Sequence, residues 1–133
     1  MRVCLDTNVL VAAFATRGLC SDVLRTVLAE HELILGEVIL EEFRRVLKRK
    51  LRVPEERILS AEGVFEGIPI ISRPDEPSRI ESRDQDDRWV LATAEAGDAD
   101  VFVTGDKDLL EIAGASPVRI LDPRSFWEFL RAK

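Results

Sequence analysis

Residues 2–10 have the sequence RVCLDTNVL, in which a short apolar stretch is followed at once by the carboxylate of Asp6. The apolar stretch predicts a buried strand over 2–5, and Thr7 or Asn8 can cap the helix that follows it. In open α/β sheets, ligands bind beyond the carboxyl ends of the strands. An acid that directly ends a buried strand is therefore a candidate functional residue.

Apolar runs and helical patterns alternate along the rest of the chain. Further strands are predicted over 32–35, 68–71, 101–104 and 118–121, and helices over 9–15, 20–30, 37–51, 54–65, 86–96, 106–113 and 123–130. Continuous apolar runs are typical of parallel strands that are covered on both faces. We therefore expect a three-layer α/β/α fold with a five-stranded parallel sheet, as one domain over residues 1–133.

The bulk composition excludes several classes of protein. With 46% hydrophobic and 33% charged residues, the chain is expected to be globular rather than disordered. We see no apolar run long enough to span a membrane and no signal peptide, so we expect a cytoplasmic protein without membrane contact. Two cysteines and one histidine argue against a disulfide framework and a zinc site. The net charge of −6 means that any contact with nucleic acid must use locally clustered basic residues.

A second predicted strand also ends in acid, where residues 101–108 have the sequence VFVTGDKD. If this strand neighbours the first one, Asp6 and Asp106 meet at the same edge of the sheet. The sequence alone does not fix that neighbourhood, so the convergence of the two carboxylates is an expectation.

Two predicted helices can bring further acids to that edge. Glu42 borders the apolar face of its helix, whereas Glu41 points further outward. Asp87 lies at the N-terminal end of the buried face of a later helix. Carboxylates from distant segments can thus converge, namely those of Asp6, Glu42, Asp87 and Asp106.

Such a cluster of carboxylates has a chemical use. Mg²⁺ and Mn²⁺ prefer oxygen ligands, and phosphodiester hydrolysis is accelerated by metal ions that activate water and neutralise charge on the phosphate. No histidine base is needed, which suits a chain whose single imidazole is His31. Asn8 and Thr104 can supply neutral hydrogen bonds that orient carboxylates or water.

Each acid also has a purely structural interpretation. Asp106 follows a glycine and can cap a helix, and Asp84 with Asp87 fits a cap and its third helical position. Glu42 can belong to a solvated helix face. Three further acids fit caps or supporting positions better than ligand positions: Asp84, Asp86 and Asp108.

Taken together and in order, the acidic segments resemble the motifs of PIN domains. The matching segments are LDTNVL at 5–10, LEEF at 40–43, DQDD at 84–87 and VTGDKDLL at 103–110. The resemblance implies that the metal and catalytic positions are Asp6, Glu42, Asp87 and Asp106, with supporting roles for Asn8, Thr104, Asp84 and Asp108. Helical geometry and the family pattern both favour Glu42 over Glu41.

This resemblance covers nearly the whole chain and is closest to VapC-like toxins of toxin–antitoxin systems. It implies a single PIN-like nuclease domain with a five-stranded parallel sheet. It also implies an endoribonuclease that uses Mg²⁺ or Mn²⁺, an RNA substrate, an antitoxin protein as partner, and a homodimer.

The chain has one strongly basic stretch, over residues 44–52. One interpretation is that it binds RNA phosphates beside the metal, and the residues that we select for this role are Arg45, Lys48 and Arg49. The other is that it is a solvated helix end, whose cations are favoured by the helix dipole. Trp89 and Trp127 can stack on bases, although core packing is the commoner use of such residues.

Three rival functions remain to be compared with the nuclease. A phosphatase of the haloacid dehalogenase type needs a second aspartate where this chain has Asn8. A response-regulator receiver domain needs an aspartate after the third strand, where residues 70–72 are Ile, Ile and Ser. A PIN-like protein that only binds RNA or a partner would lack activity, so RNA cleavage with and without EDTA separates it from the enzyme.

Overall fold

The computed structural model describes residues 1–82 and 84–132, in which five parallel strands form one sheet. The strands are β1 (Arg2–Leu5), β2 (Glu32–Gly36), β3 (Ile70–Ile71), β4 (Val101–Val103) and β5 (Arg119–Leu121). Their order across the sheet is β3-β2-β1-β4-β5. The predicted α/β fold with a five-stranded parallel sheet is confirmed, and β1 and β4 are direct neighbours.

Helices lie between the strands and cover the sheet. They are α1 (Thr7–Ala15), α2 (Leu19–Glu30), α3 (Glu37–Arg45), α4 (Glu55–Gly63), α5 (Gln85–Ala96), α6 (Lys107–Glu111) and α7 (Pro123–Arg131). Consecutive residues of a strand point to opposite faces, and Val3, Cys4 and Leu5 all have no exposed surface. Both faces of the central strand are therefore covered. Within the described part of the chain, no helix has the length and apolar character that crossing a membrane requires.

The start of α1 differs from the prediction. The helix begins at Thr7, and its N-cap is Asp6, whose carboxylate accepts a hydrogen bond from the Thr7 backbone N–H at 2.8 Å. A cap at Thr7 or Asn8 was wrong because Asp6 itself has extended backbone and an acceptor side chain. The strand therefore passes into the helix without an intervening loop.

Most other elements begin or end within one or two residues of their predicted bounds, and two of the differences have a clear structural reason. The helix predicted over 37–51 is α3 followed without a break by a π-helical turn over Val46–Lys50. The third strand is shorter than predicted, because the Ile68 backbone N–H donates to the Phe65 carbonyl in a turn instead of pairing with β2.

Close packing fixes the helices that carry the site. The rings of Phe14, Phe43 and Phe65 contact one another edge to face, with centroids 5.5 to 5.8 Å apart. At Gly36, where β2 passes into α3, an added Cβ would collide with the Thr93 side chain on α5. Helices α3 and α5 are thereby held close together.

Candidate active site

Asp6 is held at the carboxyl end of β1. Its backbone N–H donates to the Val103 carbonyl at 2.9 Å, and its side chain is 5% exposed. One carboxylate oxygen accepts from the Thr7 backbone and the other from the Thr104 hydroxyl, at 2.7 Å. Burial raises the pKa of Asp6 above its usual range, the hydrogen bonds from Thr104 and Thr7 lower it, and the charge of Asp106 raises it further.

Thr104 joins the first and fourth acidic segments. It follows β4, has no exposed surface, and also accepts a hydrogen bond from the Asp106 backbone N–H at 3.0 Å. Asp106 is the N-cap of α6, since its Oδ1 accepts from the backbone N–H groups of Asp108 and Leu109. The capping role considered for Asp106 is thus observed, and the same residue lines the cleft described below.

Asp87 lies in the first turn of α5 and is 9% exposed. Its carboxylate accepts a hydrogen bond from the Ser82 hydroxyl at 3.2 Å. Burial, followed by the negative charges of Asp106, Asp84 and Asp6, raises the pKa of Asp87 to about 7. Asp84 caps the same helix by accepting from the Asp86 backbone N–H. The like charges that surround Asp87 show that the acidic segments have come together.

The two adjacent glutamates of α3 point in different directions. The Glu42 side chain is 24% exposed, and burial together with the charge of Asp6 raises its pKa. The Glu41 side chain is 61% exposed and forms an ion pair with Arg73 at 2.8 Å. The placement agrees with the expectation that Glu42, and not Glu41, faces the other acids.

The acids face one cleft of about 330 Å³. Its lining residues are Asp6, Asn8, Glu42, Arg45, Val46, Arg49, Lys50, Asp84, Asp86, Asp87 and Asp106. All four residues expected to bind metal are among them, with the supporting Asn8 and Asp84. Asp108 does not line the cleft, and its backbone N–H donates a hydrogen bond to the Asp106 carboxylate.

The carboxylates surround this cleft without closing on a common centre. Across residues 1–82 and 84–132, no three His, Cys, Asp or Glu side chains are already arranged to coordinate a metal ion. The fully buried Thr7 hydroxyl has no hydrogen-bond partner in the same described residues. It nevertheless lies near enough to Glu42 to lower the pKa of that carboxyl. The Thr7 hydroxyl therefore lies beside the Glu42 carboxyl at the edge of the cluster.

The basic stretch divides between two sides of the molecule. Arg45 and Arg49 line the cleft, as expected for residues that bind RNA, and Lys50 joins them. Lys48 does not line the cleft. It lies near Glu55 on α4, whose pKa is lowered mainly by the hydrogen bond from Arg44 and also by the charge of Lys48. Of the three predicted RNA-binding residues, the structure brings two to the acids.

Sequence reasoning missed three residues near the acids. Lys50 was part of the basic stretch but was not selected, because the π-helical turn that redirects it has no sequence pattern. Ser82 lies in a loop without periodicity, and a Ser five residues before an Asp carries no signal. The Thr7 hydroxyl was considered only as a cap.

The comparisons with known proteins agree with this architecture. A family model described as PIN domain matches residues 2–108, which include the acidic residues of all four segments. No curated protein is significantly similar to the chain in sequence.

Two solved structures share the fold. One is the crystal structure of VapBC2 from Rickettsia felis bound to a DNA fragment from their promoter, with 16% identity, a TM-score of 0.63, and coverage of 92% of this chain and 98% of that chain. The other is FitAB bound to IR36 DNA fragment, with 19% identity, a TM-score of 0.65, and coverage of 91% and 94%. At 16% and 19% identity, these two structures show that the chain shares their fold and nothing more specific.

Proposed function

The chain belongs to the PIN domain family, and on this premise we propose that it is a metal-dependent endoribonuclease, the toxin of a toxin–antitoxin pair. The observation that carries the proposal is the convergence of carboxylates from four separate segments on one cleft of about 330 Å³. Packing like charges together is costly in the absence of a ligand. Such a cluster is therefore better explained as a cation site than as a set of structural caps.

The donor set fits a hard divalent cation. The ligands offered to the cleft are carboxylate oxygens, which Mg²⁺ and Mn²⁺ prefer, and those of Asp6 and Asp87 are buried beside like charges. The residues that would hold the ion are Asp6, Glu42, Asp87 and Asp106. When bound, such an ion activates water and neutralises charge on the phosphate.

The other residues at the site position the carboxylates or bind the RNA. The Thr104 hydroxyl fixes the carboxylate of Asp6 and the backbone that carries Asp106. Arg45 and Arg49 line the cleft beside the acids, where their guanidinium groups can bind the phosphates that flank the cleaved bond. This division lets a chain with a net charge of −6 bind a polyanion at one place.

Partners are part of the same proposal. The likeness of fold to VapBC2 and FitAB supports an antitoxin protein that binds this chain, and the resemblance to VapC-like toxins supports a homodimer. A haloacid dehalogenase-type phosphatase is less well supported, because the position of its second aspartate holds the amide Asn8 and because the matching family is a different one.

The test of the enzyme is RNA cleavage by purified chain with Mn²⁺ or with EDTA. Wild type should cleave single-stranded RNA only with Mn²⁺, and Asp6→Asn should lose at least about 100-fold in rate, since even residues that merely orient ligands cost 10- to 100-fold. The matched control is Asp22→Asn, which neutralises an exposed acid on α2.

A second readout is thermal unfolding. Mn²⁺ should raise the Tm of wild type and of Asp22→Asn but not of Asp6→Asn, because an ion that binds only the folded state stabilises it. Cleavage that is equal in EDTA, or full activity of folded Asp6→Asn, would refute the metal site. RNA binding without any cleavage would instead support the non-catalytic alternative.

The antitoxin and the target need experiments in cells. Induced expression of wild type should arrest growth while Asp6→Asn should not, and sequencing the ends of the cut RNA should identify the cleavage position.

A further inference from the structure

A second, smaller cleft adjoins the carboxylate cleft. It has a volume of about 80 Å³, and its lining residues are Val38, Glu41, Glu42, Arg45, Arg73, Asp86 and Trp89. Glu42, Arg45 and Asp86 line both clefts. The two are therefore contiguous, and a strand of RNA whose phosphate lies at the acids can reach the smaller cleft with a neighbouring nucleotide.

Trp89 is the aromatic residue of this smaller cleft. It lies on α5 two residues after Asp87, packs partly against the core, and is not fully buried. The Arg73 guanidinium lies over its ring, 5.7 Å from the centroid. Part of the indole is thus covered by a cation at the surface rather than by apolar core residues.

The contacts that hold Arg73 over the indole are weak ones. Its side chain is 49% exposed and forms an ion pair with Glu41, whose side chain is 61% exposed. Exposed ion pairs contribute little to stability, whereas the stacking of a base on an aromatic side chain is a strong contact. A base can therefore displace the guanidinium from the ring at low cost.

Resting on the proposed nuclease function, we propose that Trp89 and Arg73 form a nucleobase subsite beside the carboxylate cleft. The base next to the cleaved bond stacks on the indole, and Arg73 moves aside to stack on that base or bind its phosphate. The present 80 Å³ space opens as Arg73 moves. Stacking tolerates every base, and a purine offers the larger ring face to the indole, so cleavage is biased towards sites flanked by a purine.

The test follows the fluorescence of Trp89. The chain has two tryptophans, so Trp127→Phe leaves Trp89 as the reporter. The probes are an oligoadenylate and an abasic oligonucleotide of the same length, both titrated in the Asp6→Asn background, in which the proposed cleavage is lost. The oligoadenylate should quench the emission to saturation, and the abasic strand should bind without quenching. No quenching, or equal quenching by both strands, would overturn the subsite.

Variants give an independent measurement. Trp89→Leu and Arg73→Ala should each weaken oligoadenylate binding by about tenfold and raise KM more than they lower kcat. Arg73→Lys, which keeps the charge but loses the planar group, should weaken binding almost as much. Arg79→Ala, an exposed arginine of the same loop, is the matched control. The arginine variants remain informative if Trp89→Leu fails to fold.

Failure of the subsite and failure of the nuclease are distinguishable. If wild type cleaves RNA and none of these variants changes binding or the bias of cut positions, the subsite alone is refuted. If wild type does not cleave, the proposed nuclease function fails, and the fluorescence titration still decides whether bases bind at Trp89.

Discussion

The Thr104 hydroxyl connects two acidic segments through one oxygen. It donates to the Asp6 carboxylate at 2.7 Å and accepts from the Asp106 backbone at 3.0 Å, and it is fully buried. Thr104 is not among the residues that line the cleft, so it acts as a positioning residue. Losing the hydroxyl would leave the buried Asp6 with one fewer hydrogen bond.

We expect Thr104→Val to reduce the rate of RNA cleavage by about 10- to 100-fold, the effect typical of residues that orient metal ligands. Thr104→Ser retains the hydroxyl and should keep most of the activity. The measurement is kcat under saturating Mn²⁺, together with the Tm of each variant. Equal activity of the Val and Ser variants would show that the hydrogen bond does not orient Asp6.

Glu41 and Glu42 provide a matched pair for a second prediction. We expect Glu42→Gln to lose at least about 100-fold in cleavage rate, because it removes a carboxylate from the cleft. Glu41→Gln removes an exposed ion pair with Arg73 and should change the rate by less than about threefold. Single-turnover cleavage of one RNA by both variants checks the ranking, and the reverse order would mean that α3 is rotated relative to the acids.

Among single residues, the sequence predicted those whose placement at the cleft follows from their position on an element. Asp6 and Asp106 end neighbouring strands, and Glu42 borders an apolar helix face, so strand and helix periodicity indicated them. The cap of α1 was assigned to the wrong residue because Asp6 was considered only as a ligand. Ser82 could not be predicted, since its bond to Asp87 depends on the path of a loop.

The π-helical turn after α3 decides which cations face the acids. One wider turn rotates the residues after it about the helix axis. Arg49 and Lys50 thereby line the carboxylate cleft, whereas Lys48 lies on the side of Glu55. A regular helix was predicted here, and no residue pattern distinguishes the two, which is why the side of Lys48 could not be predicted.

We expect Arg49→Ala to weaken RNA binding and to reduce the slope of log K against log salt by about 0.7, the value for losing one phosphate contact with a single strand. Lys48→Ala should leave that slope nearly unchanged. Binding of a non-cleavable RNA over a series of salt concentrations measures both. Equal slopes for wild type and Arg49→Ala would show that Arg49 makes no phosphate contact and is a solvated side chain.

The contact between Gly36 and Thr93 holds α3 against α5. We expect Gly36→Ala to reduce the free energy of unfolding by about 1–3 kcal/mol, as overpacking does, and to reduce activity because it separates the helices of Glu42 and Asp87. Gly114→Ala, where an added Cβ meets nothing within 4 Å, should change stability by less than about 0.5 kcal/mol. Urea unfolding measures the stability of both variants. An unfolding midpoint of Gly36→Ala equal to that of wild type would contradict the close contact between Gly36 and Thr93.

For the whole molecule, the acid cluster links stability to pH. The folded-state pKa of Asp87 is raised from 3.8 to about 7, so the folded protein holds this proton longer than the unfolded chain does. The contribution of Asp87 to the free energy of unfolding of the metal-free protein should therefore be most favourable below about pH 4. This contribution should fall as the pH rises towards about 7. Asp6 and Glu42, whose pKa values are also raised, act in the same direction.

Asp87→Asn should reduce this dependence and exceed wild type in stability at about pH 8, because it removes a buried charge among like charges. The measurement is urea unfolding in EDTA at a series of pH values. A wild-type stability that rises over this interval, or an Asp87→Asn protein with the same pH dependence, would show that the acids do not repel one another in the folded state.

The central place of β1 in the sheet also sets the order in which the site can form during synthesis. Asp6 emerges from the ribosome long before Thr104, from which it is separated by 98 residues, and β1 has no β4 beside it until then. Strand pairs between distant segments form late in folding. A nascent chain therefore holds its first carboxylate without the fourth, and under the proposed nuclease function it cannot cleave RNA, including the messenger being read, until nearly all of the domain has been made.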